Sequence, residues 1–327
     1  MSEHSPEPAE RLSLALRRSS YFEGTTPAVG DAVPAIAMPM HLGLDALSCT
    51  VHAAGAAKTA FAKTYRVGAL DPFTFDGAAQ AASRAGEAGL APRLIEADAD
   101  NLFLLFEPAP ENFRMAQAPD AQRREAKAAI LAAKKAWHAQ PLLSRDLSPF
   151  DLARDYAARV SAHLSEATAA QFPYKGSVPF AGLAQWMARI GAAFAAAGMD
   201  RKPIHAENTV SNILLGPGNA VLLVDFDRAA NADPLYDLGA LSLDLCRNDG
   251  ERMEMIEMYA GRADDGSFAR LKLYAVVDDF LWGCWALLAE LNPAMKGPEL
   301  LKYASNRFLR ASHHLATFDV PTLLARI

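Results

Sequence analysis

Ile204 to Asp227 reads IHAENTVSNILLGPGNAVLLVDFD, and its spacing decides how the rest of the chain is read. His205 is followed by Glu207, then by Asn212, by Gly216-Pro217-Gly218-Asn219 and by an apolar run that ends in Asp225-Phe226-Asp227. The Gly-Pro-Gly-Asn stretch is a strong turn signal between two short strands, Ile213 to Leu215 and Val221 to Val224, so a hairpin is predicted. Such a hairpin brings Asn212 and Asp225 together. An amide oxygen and a carboxylate are hard ligands suited to Mg²⁺, which keeps several waters and bridges phosphates. Taken singly, His205 and Asn212 could cap a loop, and Asp225 and Asp227 could be solvated acids after a strand. Spacing, turn and strand taken jointly point instead to a site for a nucleotide and its metal.

At 327 residues the chain exceeds the size at which one core usually splits, so two lobes are expected. A composition of 51% hydrophobic and 21% charged residues is that of an ordinary globular protein. A net charge of -6 and a pI of about 5.8 give no basic footprint, so nucleic acid is not an expected partner. Cys49, Cys246 and Cys284 are scattered, without paired spacing for zinc or disulfides; they are expected to be small core residues of a protein in the reducing cytoplasm. The start, MSEHSPEPAE, carries acids and prolines where a signal peptide needs basic and then apolar residues, and reads as a disordered tail. Charges or glycines interrupt every long apolar run, so no membrane span is expected.

The first third is strand-rich. After a short helix near Pro8 to Arg18, strands are predicted at Ser48 to Ala54 and Thr59 to Tyr65, joined by Gly55-Ala56-Ala57-Lys58. A helix from about Asp76 to Ala88 stops at Gly89, and strands follow at Pro92 to Ala97 and Asn101 to Phe106. Beyond Pro110 the pattern is helical: Asp120 to Gln140, Asp151 to Ala169, Phe180 to Ala197, Tyr236 to Arg247, Gly250 to Ala260, Phe268 to Leu291 and Glu299 to Thr317. Glu107-Pro108-Ala109-Pro110 stops both strand and helix and marks the boundary. The organisation expected is residues 1–20 as tail and short helix, 21–108 as a small nucleotide-binding lobe, and 109–327 as a larger helical lobe.

The 204–227 stretch resembles the catalytic loop and metal-binding strand of the aminoglycoside phosphotransferase and choline/ethanolamine kinase superfamily, and Val224 to Leu241, VDFDRAANADPLYDLGAL, resembles the family's continuation. The resemblance implies an α+β, protein-kinase-like two-lobed fold that uses ATP and Mg²⁺. It places metal ligands at Asn212 and Asp225, with Asp227 in support, and a structural brace of the catalytic loop at Asp237. Asp233 and Asp237 also read as acids at a helix N-terminus, where the dipole favours them. A second block, DDFLWGCWALLAELN at Asp278 to Asn292 followed by LLKYASNRFL, is similar to the C-terminal region of choline and ethanolamine kinases. It implies an amine-bearing acceptor held by Trp282 and Trp285, through cation–π attraction, with Asp278 or Asp279. Trp282 and Trp285 are also spaced as an ordinary core stripe.

In the small lobe, Phe61, Lys63 and Tyr65 share one strand face. The kinase pattern puts the cation that grips the α- and β-phosphates at Lys63, and the adenine-binding hinge at Phe106-Glu107. The helix position expected to supply the lysine's carboxylate partner falls near Gln80, an amide. Glu207 stands where the pattern has Asp and, with His205, is the candidate catalytic pair. The substitution keeps the carboxylate and adds a methylene, moving its oxygens by roughly 1 Å, enough to cost about 10²-fold in rate unless the site is reshaped around it. The expected activity is transfer of a γ-phosphoryl group to the hydroxyl of a small amino alcohol. The alternatives are a nucleotide-binding relative without turnover, and a kinase for aminoglycosides or another hydroxyl compound.

Overall fold

A computed structural model of the chain describes residues 7–33, 45–53, 58–68, 72–163, 174–291 and 298–327. Two compact units emerge: Met1–Ala116 with Ser211–Ala229, and Gln117–Val210 with Ala230–Ile327. The irregular stretch at Glu107 to Pro110 lies inside the first. The predicted N-terminal tail before residue 7, the predicted strand end Ala54 with the turn residues Gly55 to Ala57, Asn292, and the predicted helical residues Leu164 to Ala169 fall outside the described residues.

In the first unit, α1 (Pro8–Arg18) starts with a proline, whose missing N–H costs nothing there. It covers an antiparallel sheet of β1 (Pro27–Ala32), β2 (Ala46–Ala53), β3 (Thr59–Tyr65), β4 (Leu94–Asp98) and β5 (Phe103–Phe106), in the order β1-β2-β3-β5-β4. Leu12, Ala15 and Leu16 of the helix pack with Cys49 and Val51, Ala60 and Ala62, and Phe103 and Leu105, which alternate along their strands as a half-buried sheet requires. β3 spans the residues predicted. β1 was not anticipated: PAVGDA has no apolar alternation, and its pairing with β2 makes it an edge strand, where Pro and Gly are tolerated. The helix α2 (Phe75–Glu87) is capped by the Thr74 side chain, which accepts from Gly77 N.

A second sheet in this unit holds the predicted hairpin. β6 (Arg114–Met115) pairs with Ile213–Leu215, which pairs with Val221–Leu223 in the register Ile213↔Leu223 and Leu215↔Val221. Gly218 and Asn219 both take positive φ in its turn, the conformation that favours these two residue types.

The second unit is largely helical. The single helix predicted over Asp120 to Gln140 is two, α3 (Ala118–Ala121) and α4 (Arg124–His138). Asp120 closes a capping box with Gln117 and so belongs to its own short turn, while Arg123 is extended. There follow α5 (Pro149–His163), α6 (Phe180–Ala197), α7 (Pro234–Leu245), α8 (Asp249–Ala260), α9 (Asp265–Glu290), α10 (Pro298–Thr317) and α11 (Val320–Ala325), with Lys202–Ile204 paired to Ala230–Ala232 as a short antiparallel ribbon. The last helix, α11, was not anticipated; Asp319 caps it by accepting from Thr322 N. α9 is 26 residues long and buried on nearly all sides, which is why it lacks an amphipathic stripe. All three cysteines are buried and free, as expected of core residues. Among the described residues no helix is long and apolar enough to cross a membrane.

α7 reaches α9 through Gly239: a Cβ there would lie 2.7 Å from the Tyr274 Cβ and 2.8 Å from the Leu271 carbonyl oxygen. Neither atom is the free end of a flexible side chain. Gly239→Ala is therefore expected to destabilise the protein by about 1–3 kcal/mol through overpacking, despite the better helix propensity of alanine. Chemical denaturation followed by circular dichroism checks it; a gain in stability would show that the two helices can part at no cost.

Candidate active site

Alternation along β3 puts Lys63 and Tyr65 on one face, and both reach the segment that follows the hairpin. The Lys63 ammonium pairs with Asp225, and with Asp227 at 2.5 Å; the Tyr65 hydroxyl donates to Asp227 Oδ1 at 2.6 Å. The ammonium also stands 5.0 Å from the Tyr65 ring centre. The carboxylate partners of Lys63 thus come from Asp225 and Asp227, whereas Gln80 is half-buried on α2. Burial alone would lower the pKa of Lys63, but the two acids outweigh it and hold the ammonium protonated. Burial and the neighbouring Asp225 push Asp227 up to about 7, against the pull of Lys63 and Tyr65. Two acids crowd one ammonium here, and negative charge is left over.

The hairpin sets the remaining geometry. Val224 N donates to the Asn212 carbonyl at 3.0 Å, which closes the open end of the hairpin with Asn212 just before one strand and Asp225 just beyond the other. Asp225 adopts φ 72°, unusual for a residue with a Cβ. Oxygens of Asp225 and Asp227 lie within 4.8 Å of each other. Two carboxylates that already share an ammonium, with Asn212 bonded through its backbone to the residue before Asp225, supply oxygen donors of the kind that fits Mg²⁺.

In the second unit the sequence His205-Ala206-Glu207-Asn208 wraps around Asp237, in the first turn of α7. Asp237 Oδ2 accepts from His205 N at 2.8 Å and from His138 Nε2 at 3.1 Å; Oδ1 accepts from Ala206 N at 2.9 Å and from Asn208 Nδ2 at 2.8 Å. Ala206 is held at φ 63° by this bonding, a conformation that costs an alanine roughly 1 kcal/mol or more. The His205 ring donates from Nδ1 to the Glu207 carbonyl at 3.1 Å, and Glu207 is 7% exposed. Lys134 of α4, 1% exposed, donates to Asn208 Oδ1 at 2.6 Å and lies 3.7 Å from Asp237 Oδ2. The Tyr259 hydroxyl sits 2.8 Å from His138 Nδ1. Burial would raise the pKa of Asp237, but Lys134, His138 and His205 hold it well below the usual carboxylate range. Burial lowers Lys134 to about 8, with Asp237 opposing.

The two acids of α9 have partners inside the second unit. Asp279, fully buried, receives Arg310 through Nε at 2.8 Å and Nη2 at 2.6 Å, and Arg307 at 3.0 Å. Asp278 accepts from the Tyr236 hydroxyl at 3.1 Å and pairs with Arg307 at 3.3 Å. Trp282 and Trp285 are half-buried and meet edge to face, with ring centres 5.2 Å apart. At the end of β5, Phe106 pairs with Phe61 and Leu94, and the Glu107 N–H donates to the Arg93 carbonyl at 2.8 Å.

Within the first unit the structure therefore gathers Lys63, Asn212, Asp225 and Asp227, and within the second His205, Glu207 and Asp237. Tyr65, Asn208, Lys134, His138 and Tyr259 were missed as parts of these clusters. Tyr65 could have been found from its strand face, and Lys134 and His138 from a row of buried positions, Ala126, Ile130, Lys134 and His138, at helical spacing.

Asp237→Asn keeps the shape of the brace and removes its charge, leaving buried Lys134 uncompensated. A loss of about 3–5 kcal/mol at pH 7 is expected, by the cost of breaking a buried pair. Because the folded pKa is depressed, the stabilisation is present above the unfolded value of about 3.9 and is lost as pH falls through the acid range. The variant should therefore lose stability less steeply than wild type between about pH 5 and pH 3, a contrast that urea melts at several pH values read directly.

Three solved structures are similar in fold. A choline/ethanolamine kinase family protein from Mesorhizobium loti superposes with a TM-score of 0.75 at 19% identity, covering 98% of this chain and 99% of that one. Choline kinase LicA from Streptococcus pneumoniae gives 0.73 at 17% identity, covering 94% and 100%; LicA is also known in complex with AMP. An aminoglycoside-3'-phosphotransferase of type VIII gives 0.52 at 20% identity, covering 83% and 99%. No curated protein sequence matches the chain. These likenesses show the kinase-like fold, a small antiparallel sheet with a larger helical portion. The sequence profile of the phosphotransferase enzyme family, APH, matches residues 45–274, so the chain belongs to that family of small-molecule phosphotransferases.

Proposed function

We propose that this chain transfers the γ-phosphoryl group of ATP, with Mg²⁺, to the hydroxyl of a small amino alcohol of the choline or ethanolamine class. The observation that carries the reading is the Lys63 ammonium shared between Asp225 and Asp227, with Val224, the residue before Asp225, bonded to the Asn212 carbonyl. Asn212 and Asp225, with Asp227 in support, would hold the metal, which when bound supplies positive charge to the phosphate oxygens. Lys63 steadies the phosphates, and the strand end at Phe106 borders the adenine. His205 supports the loop, and Glu207 orients the acceptor hydroxyl and takes its proton. As the new O–P bond forms, the bond from the γ-phosphorus to the bridging oxygen breaks and ADP leaves.

For the acceptor, the fold likeness to choline and ethanolamine kinases favours an ammonium compound. Asp278 and Asp279 are already engaged by Arg307 and Arg310, so the aromatic faces of Trp282 and Trp285 are the better candidates to hold it. One observation favours a second reading, a nucleotide-binding protein without turnover: Glu207 occupies the position of the pattern's shorter acid.

The decisive experiment pairs nucleotide-dependent melting shifts, with and without Mg²⁺, with phosphoryl transfer to a panel of amino alcohols, aminoglycosides and sugars. Wild type should show a Mg²⁺-dependent shift that Asp225→Asn abolishes, and transfer that is fastest to an amino alcohol. Glu207→Gln should reduce kcat by about 10²–10⁴-fold while keeping the shift. Equal transfer by wild type and Glu207→Gln removes the role of Glu207. A shift without transfer to any acceptor supports the second reading, and no shift at all overturns both.

A further inference from the structure

The sequence Ala126, Ile130, Lys134, His138 forms one buried row of α4, and an apolar side chain at the third position would pack there without a charge to satisfy. Asp237, the acid paired with Lys134 among the described residues, already accepts four hydrogen bonds from His205, Ala206, Asn208 and His138. The lysine is placed for something else: its shorter contact, 2.6 Å, is to the Asn208 amide oxygen, against 3.7 Å to Asp237.

We propose that Lys134 is a positioning residue for Glu207, acting by locking Asn208, the residue that immediately follows it. The proposal rests on the reading of Glu207 as the group that takes the acceptor's proton.

The Asn208 amide has its NH₂ end on Asp237 Oδ1 and its oxygen on the Lys134 ammonium. Turning it over would set NH₂ against ammonium and oxygen against carboxylate, so the flanking charges admit one orientation. Asp237 alone could hold the approach to Glu207, through His205 N and Ala206 N. On the exit side the His205 ring donates to the Glu207 carbonyl and Val210 N donates to Asp244, and the Asn208 side chain, gripped at both ends, fixes the residue between them. Control of the exit matters more for glutamate than for aspartate, since one further rotatable bond magnifies any backbone error at the carboxylate. A misplacement of about 1 Å there is enough to govern the rate.

Lys134→Met keeps the length and packing of the side chain and removes its donor. The expected result is a kcat reduced by roughly 10–100-fold with the KM for ATP within about twofold of wild type. Amide exchange at His205 to Asn208 should be roughly tenfold faster, since those amides report the frame directly. Lys134→Gln, which retains a donor, should recover part of the kcat. Asn208→Leu should reproduce the Lys134→Met effect, and the double variant should be worse than either single by no more than about threefold, because both act through one contact. A wild-type kcat in Lys134→Met, multiplying losses in the double variant, or unchanged loop exchange would each overturn the proposal. If Lys134→Met does not fold, Asn208→Leu decides, and a wild-type kcat in it overturns the proposal. If wild type transfers phosphate to no acceptor, the proposed function fails by itself, and the exchange comparison alone decides whether Lys134 holds the loop.

Discussion

A carboxylate with no contact with water must find every one of its partners inside the protein, and at Asp237 that requirement dictates the shape of the loop around Glu207. Two of the partners are consecutive backbone amides, His205 N and Ala206 N, and aiming both at one carboxylate bends Ala206 into the left-handed region. The acid stands in the first turn of α7, where the helix dipole also favours negative charge, and Asp233 and Pro234 begin that helix as cap and first residue. The start of a helix and the course of a loop are thereby set by one buried charge. Glu207 inherits its place from this frame.

The two units treat acidic groups in opposite ways. In the second, Asp237 is sealed and compensated by Lys134 and by the ring of His138. In the first, two acids share one ammonium and Asp225 keeps a third of its side-chain surface, 33%, open to solvent. A group whose task is to hold a backbone gains from enclosure, because a low dielectric strengthens each of its bonds. A group that is to exchange one cation for another needs surplus negative charge and access. Burial and then the neighbouring Asp225 push Asp227 up, and the second of these is the electrostatic signature of that surplus.

Legibility in the sequence followed the range of the interactions concerned. The boundaries of α6 and β3 and the hairpin with its Gly-Pro-Gly-Asn turn rest on local periodicity and turn chemistry, and were readable to within a residue. β1 was not, since PAVGDA becomes a strand only by pairing with β2. The break between α3 and α4 was hidden because Asp120 suits either a helix interior or a capping box, and the structure uses the box. Asp237 was visible through its motif. The partners of its frame were not: Lys134 lies 74 residues from Asn208 and His138 lies 99 from Asp237, and no spacing rule spans such distances. The one available sign was a lysine on a row of otherwise buried positions.

The acids of α9 show the same limit at the level of chemistry. Residue type makes Asp278 and Asp279 ready partners for an ammonium, but their partners are guanidiniums on α10, and the twofold contact of Arg310 with Asp279 is the geometry in which arginine binds carboxylate most specifically. With those charges compensated, the pair of helices is held together by ion pairs whose removal would leave buried charge behind, a cost larger than the pairs' net contribution. Under the proposed function, an ammonium held near Trp282 and Trp285 would depend on ring faces alone, worth about 0.5–2 kcal/mol per contact. Attraction of that size cannot by itself discriminate strongly among amines. Selection of the acceptor would then fall to the shape of its surroundings and to the placement of its hydroxyl against Glu207, which returns the question of specificity to the frame built on Asp237.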